Sequence, residues 1–96
     1  MDLRQMLESR RGEILKLAQK YGARNVRIFG SVARGESQAD SDIDILVDME
    51  AGRSLLDHAA LIDELEVLLG RKVDVATERG LKDRIRDRVI REAVPL

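Results

Sequence analysis

The chain has 96 residues, 44% hydrophobic and 36% charged, enough apolar content for one modest core beneath a charged surface. Seventeen Lys and Arg against eighteen Asp and Glu leave a net charge of −1, which argues against a surface built for nucleic-acid phosphates; no direct nucleic-acid binding is expected. Cysteine is absent, which excludes disulfides and thiolate metal sites, and two aromatics are too few for a base-stacking platform.

The spacing of Leu3, Met6, Leu7, Ile14, Leu17, Ala18 and Tyr21 predicts helix over 2–21, capped by Asp2 and ended at Gly22. Gly12 and the Arg10-Arg11 pair weaken its middle and predict a break there. The basic pair reads as a solvated face, with partner contact as the lesser alternative. Residues 25–29 form a first strand and 43–49 a second. The second is so continuously apolar that it is expected at the sheet centre, covered on both faces. About a dozen residues separate the two, so they pair antiparallel.

Residues 50–53 turn into a helix over 55–69, capped by Ser54 with Asp57 three residues on and ended at Gly70. Leu55, Ile62, Leu65 and Leu69 form its inward stripe. His58 lies close to that stripe and, with no nucleophile beside it, reads as structural. A third strand over 72–76 is joined to the second through this helix and therefore runs parallel to it. A last helix over 81–93 turns Leu81, Ile85, Val89 and Ala93 inward. Lys82, Arg84, Arg86, Arg88 and Arg91 line its other side, softened by Asp83, Asp87 and Glu92. That side is most simply solvated; the alternative is docking of an acidic partner or of nucleotide phosphates. Val94-Pro95-Leu96 is an apolar segment for the core or a partner. The order α-β-(α)-β-α-β-α describes an α/β (α+β) fold, a small mixed sheet with flanking helices. No stretch resembles a signal peptide or approaches membrane-spanning length, so one cytoplasmic domain over 1–96, without a membrane partner, is expected.

The chemistry concentrates in residues 26–48. Gly30 permits close backbone approach, and Ser31 offers a hydroxyl and an amide where a short helix would start, a seat for anions. Asp42 and Asp44 alternate onto one side of the second strand, Cα atoms roughly 6.5 Å apart. Two such carboxylates repel unless a cation lies between them, and oxygen donors of this kind suit Mg²⁺ held jointly with substrate phosphates. Arg34 is the cation near this seat, placed either to pair with phosphate or with Glu36 or Asp40. Asp48 shares the parity but lies about 13 Å beyond Asp44, and reads as a solvated strand-end carboxylate. Asp74 interrupts the third strand. It either faces solvent at an edge or joins the first two carboxylates, a metal offsetting the cost of burying it.

Gly30-Ser31, ten residues, then Asp42-Ile43-Asp44 resembles the G-S-x10-D-x-D signature of the polymerase-beta-like nucleotidyltransferases. The longer strings G-S-V-A-R-G-E and S-D-I-D-I-L-V-D resemble its minimal nucleotidyltransferase (MNT) branch, which typically supplies antitoxins of HEPN–MNT toxin–antitoxin pairs. The resemblance supports Asp74 as the third carboxylate. It implies Asp42, Asp44 and Asp74 as catalytic and metal-holding residues around two Mg²⁺ ions, and Gly30 and Ser31 as holders of the β- and γ-phosphates of ATP. It further implies transfer of AMP from ATP to a tyrosine of a cognate HEPN ribonuclease toxin. Larger relatives carry an additional helical domain for the acceptor, so a chain this short is expected to borrow acceptor recognition from its partner. Two other readings stand beside this one: an antitoxin that neutralises by binding alone with a vestigial nucleotide site, and the catalytic subunit of a small-molecule nucleotidyltransferase.

Overall fold

Asp2 starts the first helix as the sequence predicts. Its carboxylate accepts from the Gln5 amide at 2.8 Å while the Gln5 side chain accepts from the Asp2 amide. In the computed structural model, which describes residues 2–38 and 40–96, this helix (α1, Leu3–Ser9) breaks at Arg10 and restarts as α2 (Arg11–Lys20). β1 (Ala23–Phe29), a short α3 (Gly30–Arg34), β2 (Ile43–Met49), α4 (Leu55–Leu69), β3 (Val73–Thr77), α5 (Asp83–Glu92) and β4 (Val94–Pro95) follow. No helix among the described residues is long and apolar enough to cross a membrane.

The strands lie in the order β3-β2-β1-β4. β1 runs antiparallel to β2 and β4, and β2 runs parallel to β3, so both predicted pairings hold. The fourth strand is new: Val94 lies opposite Ile28 and Pro95 opposite Arg27, and the Leu96 amide donates to the Val26 carbonyl at 3.0 Å. A strand containing proline belongs at an edge, where the missing N–H costs no ladder bond. Arg11 reaches the same segment, donating to the Leu96 carbonyl at 2.9 Å, and Arg10 pairs with Glu13. The basic pair is therefore engaged within the fold.

Alternation along β2 and β3 divides the sheet into two unequal faces. Ile43, Ile45, Val47, Val73 and Val75 are buried in the main core with Leu7, Ile14, Leu61 and Leu65 of the helices. The opposite face carries Asp44, Leu46, Asp48 and Asp74. There Leu46 is buried, Asp44 is half-buried, and Asp48 and Asp74 are exposed. β2 is central as expected, but it is covered on both faces only around Leu46. The inward stripe of α4 also differs from expectation, since Leu61 is buried while Leu55 is 83% exposed. Asp57, Asp63, Glu64 and Glu66 are spread around the helix among its apolar residues, so its docking against α2 and β3, not its own periodicity, selects the buried side.

β1 carries a bulge between Arg24 and Arg27, where Asn25 takes a φ of 53°, a conformation Asn tolerates better than most residues. The bulge brings two side chains onto Asp48. Asn25 donates to it at 3.0 Å and Arg27 at 3.1 Å, while Arg27 also donates to Glu78 at 3.1 Å and to the Asn25 carbonyl. Asp48 is thus exposed, as the sequence predicts, but it is not merely solvated; it anchors a nearly buried arginine. Arg27→Ala removes charge-assisted bonds and the stem opposite Leu46, and is expected to lower unfolding free energy in urea by about 2 kcal/mol. Arg27→Met, which keeps the stem, is expected to cost less. Equal losses in the two variants would show that the stem contributes nothing and that the whole cost lies in the charge-assisted bonds.

Candidate active site

β1 and β2 are antiparallel, so the end of β1 meets the beginning of β2. Phe29 lies opposite Asp44, and the chain turns at Gly30 directly beside that carboxylate. Gly30 has φ +72°, and a Cβ there would collide with Asp44 Oδ2. Glycine is required on both counts. α3 is short, ended by Gly35 in the left-handed conformation, and its Val32 is buried as an anchor. The Ser31 hydroxyl makes no hydrogen bond among the described residues and is half-exposed. Parallel pairing sets Asp74 of β3 opposite Asp44, on the same face of the sheet.

These placements produce one electrostatic cluster. The Asp44 carboxyl is pushed up from near 3.8 to about 6, first by burial, then by repulsion from Asp74 and from Asp42. The Arg34 charge pulls it the other way and Glu92 adds a further push upward. Repulsion among neighbouring acids marks a position that favours a cation. The donors are all oxygen, the chemistry of Mg²⁺. Among the described residues no three His, Asp or Glu side chains are arranged to enclose a metal by themselves. Mg²⁺ needs no such cage, because it is commonly held by one or two carboxylates with water and substrate phosphate completing its shell. The residues fit a cation shared between protein and nucleotide.

All six residues singled out in the sequence lie in this region: Gly30, Ser31 and Arg34 on the turn and α3, Asp42 just before β2 and Asp44 within it, and Asp74 beside Asp44. The reason for Asp74 differs from expectation. β3 is an edge strand and Asp74 is exposed, so no metal is needed to offset its burial; its register with Asp44 is what places it. Arg34 pairs with Glu36 at 3.1 Å and with Glu92 at 3.0 Å, the first of these being the leading cause that holds its guanidinium protonated. His58 is structural, its Nε2 lying 2.6 Å from the Val75 carbonyl. Glu92 was not legible as a site residue. Its Oε1 accepts from the Gly30 amide at 2.8 Å, across 62 positions of sequence, and no local signal marks such a contact. A cavity of about 760 Å³ opens at the other end of β2, lined by Asp48, Glu50, Arg53, Glu78 and Arg79 among others; none of the clustered acids lines it.

Clustered acids facing a glycine-backed loop on the open side of a small mixed sheet are the layout of an enzyme that moves nucleotidyl groups. Residues 12–96 match the nucleotidyltransferase domain family, and the chain belongs to that family, in its minimal branch. It is 46% identical over 79 residues to Protein adenylyltransferase MntA of Thermococcus cleftensis, covering 82% of this chain and 80% of that one. It is 45% identical over 82 residues to a protein of Methanocaldococcus jannaschii provisionally named a protein adenylyltransferase, covering 85% and 88%. A solved structure provisionally named a minimal nucleotidyltransferase superposes with a TM-score of 0.88 at 55% identity, over 100% of this chain and 97% of that one.

Proposed function

We propose that this chain, acting as one minimal domain in the cytoplasm, transfers AMP from ATP to a tyrosine hydroxyl of a HEPN ribonuclease toxin and so neutralises it. The observation that carries the reading is Asp44 packed against the Gly30 turn, with Asp42 and Asp74 close enough to repel it. The acceptor class is drawn from the relatives, which are named protein adenylyltransferases. A toxin–antitoxin pair named MntA–HepT and a toxin–antitoxin complex with AMP-PNP, 20% and 23% identical to this chain, share its fold.

Asp42 and Asp44 would hold one Mg²⁺ on the nucleotide side, and Asp44 and Asp74 a second near the acceptor. When bound, Mg²⁺ supplies positive charge that stabilises both the attacking and the departing oxygens of an in-line displacement. The Gly30 amide and the Ser31 hydroxyl orient the β- and γ-phosphates. Asp74, exposed at the sheet edge, is open to the acceptor and takes its hydroxyl proton as the oxygen bonds to the α-phosphorus and the bond to pyrophosphate breaks. Arg34, on the same short helix as Ser31, would pair with the departing phosphates through its guanidinium.

Incubation with Mg²⁺, each nucleoside triphosphate in turn and the protein encoded beside this chain, followed by intact mass measurement, tests the reading. A gain of AMP mass on the partner is expected with ATP, and its loss in Asp42→Asn. A tight complex without any mass gain would favour an antitoxin that acts by binding alone.

A further inference from the structure

Glu92 sits on the last turn of α5, yet its contacts belong to the loop after β1. One oxygen, Oε1, accepts from both the Gly30 amide at 2.8 Å and Arg34 Nη1 at 3.0 Å. The Glu92 side chain is only 19% exposed and its bond to Gly30 is partly buried, while the Arg34 side chain is 44% exposed. An anionic oxygen shared between a backbone N–H and a guanidinium presents to both donors what a phosphate oxygen presents. Both donors are among the groups assigned above to the triphosphate.

We propose that Glu92 is an internal occupant of the phosphate seat, and that a triphosphate binds only by displacing its carboxylate from Gly30 and Arg34. This rests on the nucleotide reading above. Two physical consequences follow from the geometry. The carboxylate satisfies the Gly30 N–H, which would otherwise lose its partner in a partly buried place, and shares Arg34 with Glu36. Against a ligand it acts as a competitor, so a weakly charged or monoanionic molecule gains little by replacing it. A triphosphate, with several anionic oxygens, replaces the one carboxylate oxygen and gains further contacts at the Ser31 hydroxyl. Glu92 is thus a specificity-determining and positioning residue.

The test is calorimetric titration of ATP and of inorganic tripolyphosphate, each with Mg²⁺, into the wild-type chain, Glu92→Gln and Glu92→Asp. Glu92→Gln removes the charge and keeps the shape. Glu92→Asp keeps the charge and withdraws the oxygen. Displacement of an occupant that holds the seat in most molecules predicts binding about tenfold tighter in both variants, since the competent fraction of the protein rises by that factor. A general electrostatic effect predicts tighter binding in Glu92→Gln alone and overturns the proposal. Unchanged or weaker binding in both variants, with thermal unfolding still cooperative, also overturns it while leaving the nucleotide reading intact. Failure of the wild-type chain and both variants to bind either ligand overturns both. Hydrogen exchange at the Gly30 amide supplies a readout independent of ligand: both variants are expected to exchange faster there, and unchanged protection counts against occupancy.

Discussion

Replacing Asp44 with Asn is expected to abolish nucleotidyl transfer and, in the same molecule, to stabilise the ligand-free fold at neutral pH. The two effects have one cause. In the folded chain the Asp44 carboxyl is pushed up to about 6 by burial and by the repulsion of Asp74 and Asp42, against about 3.9 when unfolded. Below pH 4 both states carry the proton and no penalty exists. Between about pH 4 and 6 the unfolded chain loses the proton first, so stability falls as pH rises, and above pH 6 the full penalty persists. At face value the shift corresponds to about 3 kcal/mol. Screening of a partly exposed group reduces this to about 1–2 kcal/mol, or roughly 5–10 °C in melting temperature for a domain of this size.

Asn carries no charge, so Asp44→Asn removes the penalty and flattens the stability profile between pH 4 and 6. Saturating Mg²⁺ with ATP is expected to raise the wild-type melting temperature and to raise that of the variant much less. Transfer is expected to fall about 10³-fold or more, the loss that follows from the cation-holding role proposed for Asp44. A variant that melts lower than wild type at pH 7 would show that the ionised carboxylate is not under strain.

Gly30→Ala is expected to cost both stability and activity, and the contrast with Gly35→Ala separates two reasons. The glycines share a left-handed conformation, with φ of +72° and +73°. Alanine in that conformation costs about 1–2 kcal/mol at either position. At Gly35 a Cβ meets nothing within 4 Å, whereas at Gly30 it meets the Asp44 carboxylate. Gly30→Ala must therefore also displace Asp44, and a shift of about 1 Å in a group that positions the reaction can cost about 10²-fold in rate. Chemical unfolding of Gly30→Ala, Asp44→Ala and the double variant checks the origin. With the carboxylate gone, the cost of Gly30→Ala is expected to drop to that of Gly35→Ala, a coupling a double-mutant cycle reads directly. Strict additivity would mean that the contact is absent.

Much of this molecule is written locally. Ser54 and Gly70 bracket α4 at Leu55–Leu69 because a capping hydroxyl and a left-handed glycine act within one turn of the helix they bound. The break at Arg10, the parallel and antiparallel pairings, and the convergence of Asp42 and Asp44 beside Gly30 also follow from spacing, since alternation and connection length leave few arrangements. Tertiary structure decided the rest. β4 is two residues long and contains proline, so only the edge of β1 makes it a strand. Leu61 instead of Leu55 is buried because apolar residues are spread around α4 without one clear stripe and its neighbours choose the face. Asp48 holds Arg27 through a bulge, Asp74 reaches the site by register at an exposed edge, and Glu92 reaches Gly30 across 62 positions. The sequence by itself determined that Asp42 and Asp44 come together at the Gly30 turn, because that signature lies on one hairpin. Which fourth carboxylate fills the loop, and how exposed each acid is, depended on where distant elements pack, and no local pattern encodes that.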